Sequence, residues 1–311
     1  MADLPPDLIQ RAAARLTKGE PARSEAVIEA PRQQIPVAPN AETNRAARTT
    51  HAVPEPPPGP QRSVNLSPTS LAARGIALPS SGFSRTGEEF RVLKRSVLAN
   101  VARERGVSQT GSDRIVLVTS SNMGEGKTFV AINLALTLAY EKDTRVLLMD
   151  SDAYRQSLLA YMGISADVGW IDHVVKPTTP LDALMLQTNV PNLSVLPSGK
   201  DRHEIPELMS SQQMKNLLDE LTGQCPNRIV IIDSLPCLAS TEPSILAALA
   251  GQTVFVVAAH QTSRGDLEAS LRLVGASPNV SLLLNKAEPR LSEQFKAYGY
   301  GYQQHGGGTR P

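Results

Sequence analysis

The chain has 311 residues, enough for one large domain or two small ones. Its formal net charge of +1 gives no bulk reason to expect nucleic acid or an acidic surface as partner. Two cysteines, Cys225 and Cys237, with no CxxC spacing and no matching His/Cys cluster, argue against a zinc framework or a disulfide scaffold and read as reduced thiols.

In chain order, residues 1–19 suit a short amphipathic helix, with Leu8, Ile9 and Leu16 among small and basic residues. The opening residues lack a basic region followed by an apolar core, so no secretory leader is expected. Residues 20–85 hold most of the first half's prolines, including Pro56-Pro57-Pro58, and few large apolar side chains. Such a segment buries too little apolar surface to offset its ordering entropy, and a disordered linker is expected there. Residues 86–105 read as a helix, because Phe90, Leu93, Val97 and Leu98 recur at helical spacing. From Ile115 onward strands and helices alternate. Strands are expected at 115–119, 145–149, 193–196, 229–232, 253–258 and 280–284, and helices at 128–141, 211–222, 242–250 and 265–275. Most of the strands are continuous apolar runs, the pattern of parallel strands covered on both faces. The expected fold is α/β, a doubly wound and mostly parallel sheet over residues 86–290, with ligands at the carboxyl ends of its strands. No run of about 18 apolar residues occurs, so no spanning helix is expected.

The first strand leads into Ser121-Asn122-Met123-Gly124-Glu125-Gly126-Lys127-Thr128 and then an apolar helix. This is the strand, loop and helix of a phosphate-binding P-loop, with Ser121 where the first glycine usually stands. Backbone N–H groups from Gly124, Glu125 and Gly126 suit phosphate oxygens, Lys127 suits the β- and γ-phosphates, and the Thr128 hydroxyl suits Mg²⁺. The next strand ends in Asp150-Ser151-Asp152, and the strand over 229–232 ends in Asp233. A strand that stops on Asp brings that carboxylate to the P-loop edge of the sheet, where Mg²⁺ needs only one or two such ligands. Asp233 with Asp150 is the expected metal pair beside Thr128. Of Asp150 and Asp152, one is expected to help deprotonate an incoming hydroxyl, the spacing alone not saying which. Asn285, at the end of the last strand, can offer a purine both a donor and an acceptor. Near the end, Tyr298, Tyr300 and Tyr302 alternate with glycines in a Tyr/Gly-rich tail, residues 291–311, expected to be flexible and exposed. From Arg290 to Tyr302 an extended chain reaches about 40 Å. Tyr140 and Tyr161 fall in helical patterns and read as packing residues.

Ser120 to Thr128, Asp150-Ser151-Asp152 and Ile231-Ile232-Asp233-Ser234-Leu235-Pro236 together resemble the bacterial tyrosine kinases (BY-kinases). Within them, the nearest likeness is to the exosortase-system-associated autokinases of exopolysaccharide loci. The likeness covers about residues 86–302. It implies a P-loop NTPase-like kinase domain that uses ATP and Mg²⁺, with Lys127, Asp150 and Asp152 in catalysis, and autophosphorylation of Tyr298, Tyr300 and Tyr302 in trans. The family's Glu-x-x-Arg-x-x-Arg motif falls on Glu88, Arg91 and Lys94, implying ring-oligomer contacts. Also implied are a membrane polysaccharide chain-length determinant as activating partner, a cytoplasmic location at the inner membrane, and no nucleic-acid partner. The chain departs from the family at Tyr154, where an Arg is common, at Gln156, where a Pro is common, and at Ser234-Leu235, where Thr-Pro is usual. Two other functions fit a P-loop here: a partitioning or cell-division ATPase switch, whose signature lysine falls on Asn122, and a non-catalytic nucleotide-gated scaffold of the polysaccharide machinery.

Overall fold

The computed structural model describes residues 62–76, 84–104, 111–200 and 205–287, all within one compact unit. The expectations for 1–19, for most of 20–85 and for the tail at 291–311 lie outside the described residues.

Eight strands form one sheet in the order β1-β4-β5-β3-β6-β2-β7-β8, with β1 (Arg62–Val64) and β8 (Val280–Asn285) at its edges. The central five are β5 (Leu193–Leu196), β3 (Arg145–Asp150), β6 (Arg228–Asp233), β2 (Ile115–Ser120) and β7 (Gln252–Ala258). Every neighbouring pair is parallel except β4 (Leu186–Thr188) with β5. Alternate residues of β2 enter different cores: Val116 and Val118 pack on one face, Ile115 and Leu117 on the other. That double burial is why the strands read as unbroken apolar runs. All six expected strands form, each within a residue of its expected ends. Helices α2 (Arg85–Glu104), α3 (Lys127–Ala139), α8 (Gln212–Gly223), α9 (Glu242–Leu249) and α10 (Arg264–Leu273) match the expected ones.

The linker expected over 20–85 is corrected at its C-terminal end. Residues 62–64 form edge strand β1, parallel to β4, and Pro68–Ala73 form helix α1. Ser67 caps α1 by accepting from the Ser70 N–H, with Pro68 at its first turn. Composition hid this segment because, among its described residues, three side chains, Leu66, Leu71 and Ile76, are buried, each 1–2% exposed, with Val64 partly buried beside them. Leu66 is further held by a two-way exchange with Asn189, at 2.8 Å and 3.2 Å. The segment also meets α4 (Ser157–Met162), where the Arg74 guanidinium donates to the Tyr161 carbonyl at 2.6 Å.

Four short helices went unread: α4, α5 (Trp170–Val175), α6 (Leu181–Leu184) and α7 (Ile205–Ser210). Each has one turn or two, too few residues to show a period. Tyr140 and Tyr161, expected to be packed, are 44% and 39% exposed. Among the described residues no helix is long and apolar enough to cross a membrane.

Candidate nucleotide site

Register builds the site. Parallel pairing of β3 with β6 sets Asp150 opposite Asp233, and β2 lies on the other side of β6. The carboxyl ends of these three strands therefore carry the P-loop and both acids, as expected for a doubly wound sheet.

The P-loop is held from several sides. Asn122 N donates to Glu125 Oε2 at 2.8 Å, and Thr262 Oγ1 donates to Glu125 Oε1 at 2.5 Å. The Asn122 amide donates to Asp266 Oδ2 at 3.0 Å. Glu125, expected among the phosphate binders, thus turns its side chain into the protein as a brace, 2% exposed. Gly126 opens α3 with φ of +100°. A Cβ there would lie 2.0 Å from Asn285 Nδ2, so the position needs glycine for both conformation and space. Asn285 Nδ2 donates to the Glu125 carbonyl at 2.8 Å. The amide expected to read a purine thus uses one of its two N–H donors to fix the loop.

A cleft of about 240 Å³ lies against the loop. It is lined by Lys127, Thr128, Asp152, Arg155, Ser157 and Tyr161, with Met123, Phe129, Leu235 and Pro236 at its apolar wall. This is below the roughly 300–1,000 Å³ of whole small-molecule sites, and suits a phosphate chain with its nucleoside outside. Of the expected site residues, Lys127, Thr128, Gly124, Gly126 and Asp152 border this cleft; Asp150 and Asp233 lie beneath it. Sequence reasoning missed Ser157, whose hydroxyl is 3.4 Å from that of Thr128, and missed Tyr161 as a cleft residue. Tyr154 is exposed and does not border the cleft.

The two strand-end acids are electrostatically costly. Asp150 and Asp233 are 0% and 1% exposed. Burial raises the Asp233 carboxyl to about 7, against the opposing pull of the Thr128 hydroxyl and Lys127. Burial likewise raises Asp150 well above the carboxylate range, helped by the negative charges of Asp233 and Asp152 and opposed by the Asp152 N–H. Burial lowers the Lys127 ammonium, while Asp233, Asp152 and Glu125 raise it. Asp150 Oδ1 accepts from Asp152 N at 3.0 Å, but Asp150 Oδ2 and both Asp233 oxygens are buried without a hydrogen-bond partner. Thr128 is near enough to favour the Asp233 carboxylate without completing a hydrogen bond to it by geometry.

Bare, buried, hard oxygens beside a threonine hydroxyl fit Mg²⁺, which takes one or two carboxylates and fills its shell with phosphate and water. Among the described residues no group of three or more acid, His or Cys side chains converges to hold a metal ion by itself.

The shell beyond the cleft includes Trp170, 0% exposed, whose indole N–H donates to the Asp150 carbonyl at 2.8 Å. Ser234, after Asp233, is buried and donates to the Val118 carbonyl at 3.0 Å, tying β6 to β2. His173 contacts the Thr179 carbonyl at 2.7 Å and lies 3.5 Å from Glu220, a packing role. In the helix motif, Arg91 pairs with Glu88 and Lys94 with Glu141, all within the chain. The three tail tyrosines lie outside the described residues.

A family model described as an AAA domain matches residues 113–275. A tyrosine-protein kinase, ptk, of Acinetobacter johnsonii is 34% identical over 146 residues, covering 47% of this chain and 19% of its own. The tyrosine-protein kinase YwqD of Bacillus subtilis is 29% identical, covering 63% and 78%. In fold, the crystal structure of the chimerical protein CapA2B2 aligns with a TM-score of 0.58 at 22% identity, covering 74% of this chain and 95% of that one. The chain spans 19–27% of the length of the first curated relatives it matches. With its P-loop, paired strand-end acids and doubly wound sheet, the chain belongs to the AAA-domain family and, within it, to the bacterial tyrosine kinases.

Proposed function

We propose that this protein is an ATP-dependent protein-tyrosine autokinase that regulates exopolysaccharide synthesis and phosphorylates Tyr298, Tyr300 and Tyr302 in trans between copies. The observation that carries this reading is the set of unpartnered oxygens of Asp150 and Asp233 beneath a cleft bordered by Lys127, Thr128 and Asp152. The relatives' shared name, tyrosine-protein kinase, supports it.

The P-loop N–H groups and Lys127 hold the phosphate chain. Thr128, Asp150 and Asp233 hold Mg²⁺, which when bound neutralises charge on the terminal phosphates. The tyrosine oxygen attacks the γ-phosphorus in line and the bond to the β–γ bridging oxygen breaks, releasing ADP. Asp152, which borders the cleft, accepts the phenolic proton. A cytoplasmic position at the inner membrane follows from a separate chain-length determinant, whose cytosolic tail activates the kinase.

Incubating the purified protein with Mg-ATP and probing for phosphotyrosine tests this, beside Lys127→Met and a Tyr298/Tyr300/Tyr302→Phe triple variant. The parent is expected to label, and both variants to lose most of the signal. A parent that hydrolyses ATP and dimerises without labelling, even with the partner's tail added, sinks the kinase reading in favour of a partitioning-type switch. Label that survives in the triple variant sinks only the tail assignment.

A further inference from the structure

We infer that Arg155, presented by a strained turn at Gln156, is a second phosphate-binding cation that contacts the terminal phosphate of a bound nucleoside triphosphate. The inference rests on the nucleotide-binding part of the proposed function and deepens it.

Charge makes the case first. Asp152 borders the cleft, with Asp150 and Asp233 paired in register close by, and a triphosphate adds several negative charges more. Lys127 and Arg155 are the cations that border the cleft. Lys127 already faces Asp233, Asp152 and Glu125. Arg155 is exposed, and among the described residues its guanidinium has no carboxylate or carbonyl partner. A planar guanidinium suits two phosphate oxygens at once. Tyr154, its neighbour, is exposed and does not border the cleft.

The backbone adds an independent reason. Gln156 sits at φ 49° and ψ 38°, a left-handed conformation that a non-glycine side chain disfavours. Two contacts hold it there. Its amide donates to the Gly199 carbonyl at 2.7 Å, and its N–H donates to the Asp152 carbonyl at 2.9 Å. The loop carrying Gly199 is in turn pinned to the start of α5, where Trp170 N donates to the Pro197 carbonyl at 2.9 Å and Ile171 N to the Ser198 carbonyl at 3.2 Å. Trp170 also holds the Asp150 carbonyl. One brace therefore fixes both the metal-side acid and the turn that presents Arg155. Asp152 completes it, since its Oδ1 accepts from Arg155 N at 3.1 Å. Gln156 is a positioning residue in this arrangement; Arg155 touches the ligand.

The test is equilibrium binding, with Mg²⁺, of a non-hydrolysable ATP analogue and of ADP to the full chain, read by displacement of a fluorescent nucleotide. Arg155→Ala is expected to weaken the triphosphate analogue roughly 10- to 100-fold, the range of a charge-assisted contact, and ADP by less than about threefold. Its melting temperature should not move, because the side chain is exposed. Arg155→Lys should fall between, and Gln156→Ala should lose triphosphate preference in the same direction. Tyr154→Phe should match the parent. Equal losses for both nucleotides in Arg155→Ala, or no loss, overturn the inference while leaving the P-loop reading intact. A parent that binds neither nucleotide overturns both.

Discussion

Asp233→Asn should stabilise the ligand-free protein and do so only at higher pH. Asn has nearly the same shape, and the Asp233 oxygens have no hydrogen-bond partner to lose. What the change removes is a buried charge. The Asp233 carboxyl is raised from 3.8 to about 7 by burial. An acid with a raised folded pKa binds more protons folded than unfolded, so stability falls as pH rises between the two values. The penalty is absent below about pH 4, grows through pH 5 and 6, and is complete above pH 7. About three pKa units correspond to about 4 kcal/mol at pH 8, an upper bound because relaxation and water entry soften a buried charge. For a chain of this size that ceiling equals roughly 8–16 °C in melting temperature. Thermal melts of parent and variant at pH 5 and pH 8 read the effect: titrations remote from Asp233 cancel in the difference, and those of Asp150 and Lys127, which feel its charge, shift with it. With saturating Mg-ATP the order should narrow or invert, because the parent gains RT ln(1 + [L]/Kd) and the variant loses much of it. A gap of equal size at both pH values would refute the argument that charge burial, rather than packing, sets the difference.

Two further outcomes follow from contacts outside the cleft. Leu71→Ala, at a site 1% exposed in the core beneath α1, should cost about 2–5 kcal/mol in urea unfolding, and a loss under about 1 kcal/mol would mean that the 62–76 segment docks only loosely. Asn285→Ala removes the 2.8 Å bond to the Glu125 carbonyl, and should weaken nucleotide binding about fivefold for a net hydrogen bond of about 1 kcal/mol, with the fold retained by circular dichroism; unchanged affinity would show that the P-loop keeps its shape without this amide.

How much was legible depended on how far each element repeats a pattern. The central strands could be read because both faces are covered, so Val116, Leu117 and Val118 stand together without a polar break. The P-loop and the strand-end acids could be read because phosphate and metal chemistry restrict residue type and spacing. Strand β1 and helix α1 could not be read. Three buried side chains among prolines and polar residues carry no period, and their docking depends on partners such as Asn189, more than a hundred residues away. The brace through Trp170, Gly199 and Gln156 was illegible for the same reason: it is made of hydrogen bonds between loops. Asn285 was legible as a site residue, but its bond to the Glu125 carbonyl was not, because one amide can serve a base or a backbone carbonyl equally well.

Three of the acids buried around the P-loop separate structure from function more sharply than burial does. Glu125, Asp150 and Asp233 are all no more than 2% exposed, so each gives up nearly all its water. Glu125 recovers that loss inside the protein: one oxygen accepts from Asn122 N and the other from Thr262 Oγ1. It acts as a fixed part of the loop. Asp150 and Asp233 do not recover it, and three of their four oxygens stay bare. A fold that needed these two acids only for stability would do better with neutral residues of similar size. Their persistence as bare carboxylates side by side, opposite each other in the β3–β6 register, is intelligible if a cation completes them. On the proposed function, Mg²⁺ and phosphate would supply the missing contacts at this weak point of the ligand-free state, and nucleotide binding would be coupled to stability through the same two side chains.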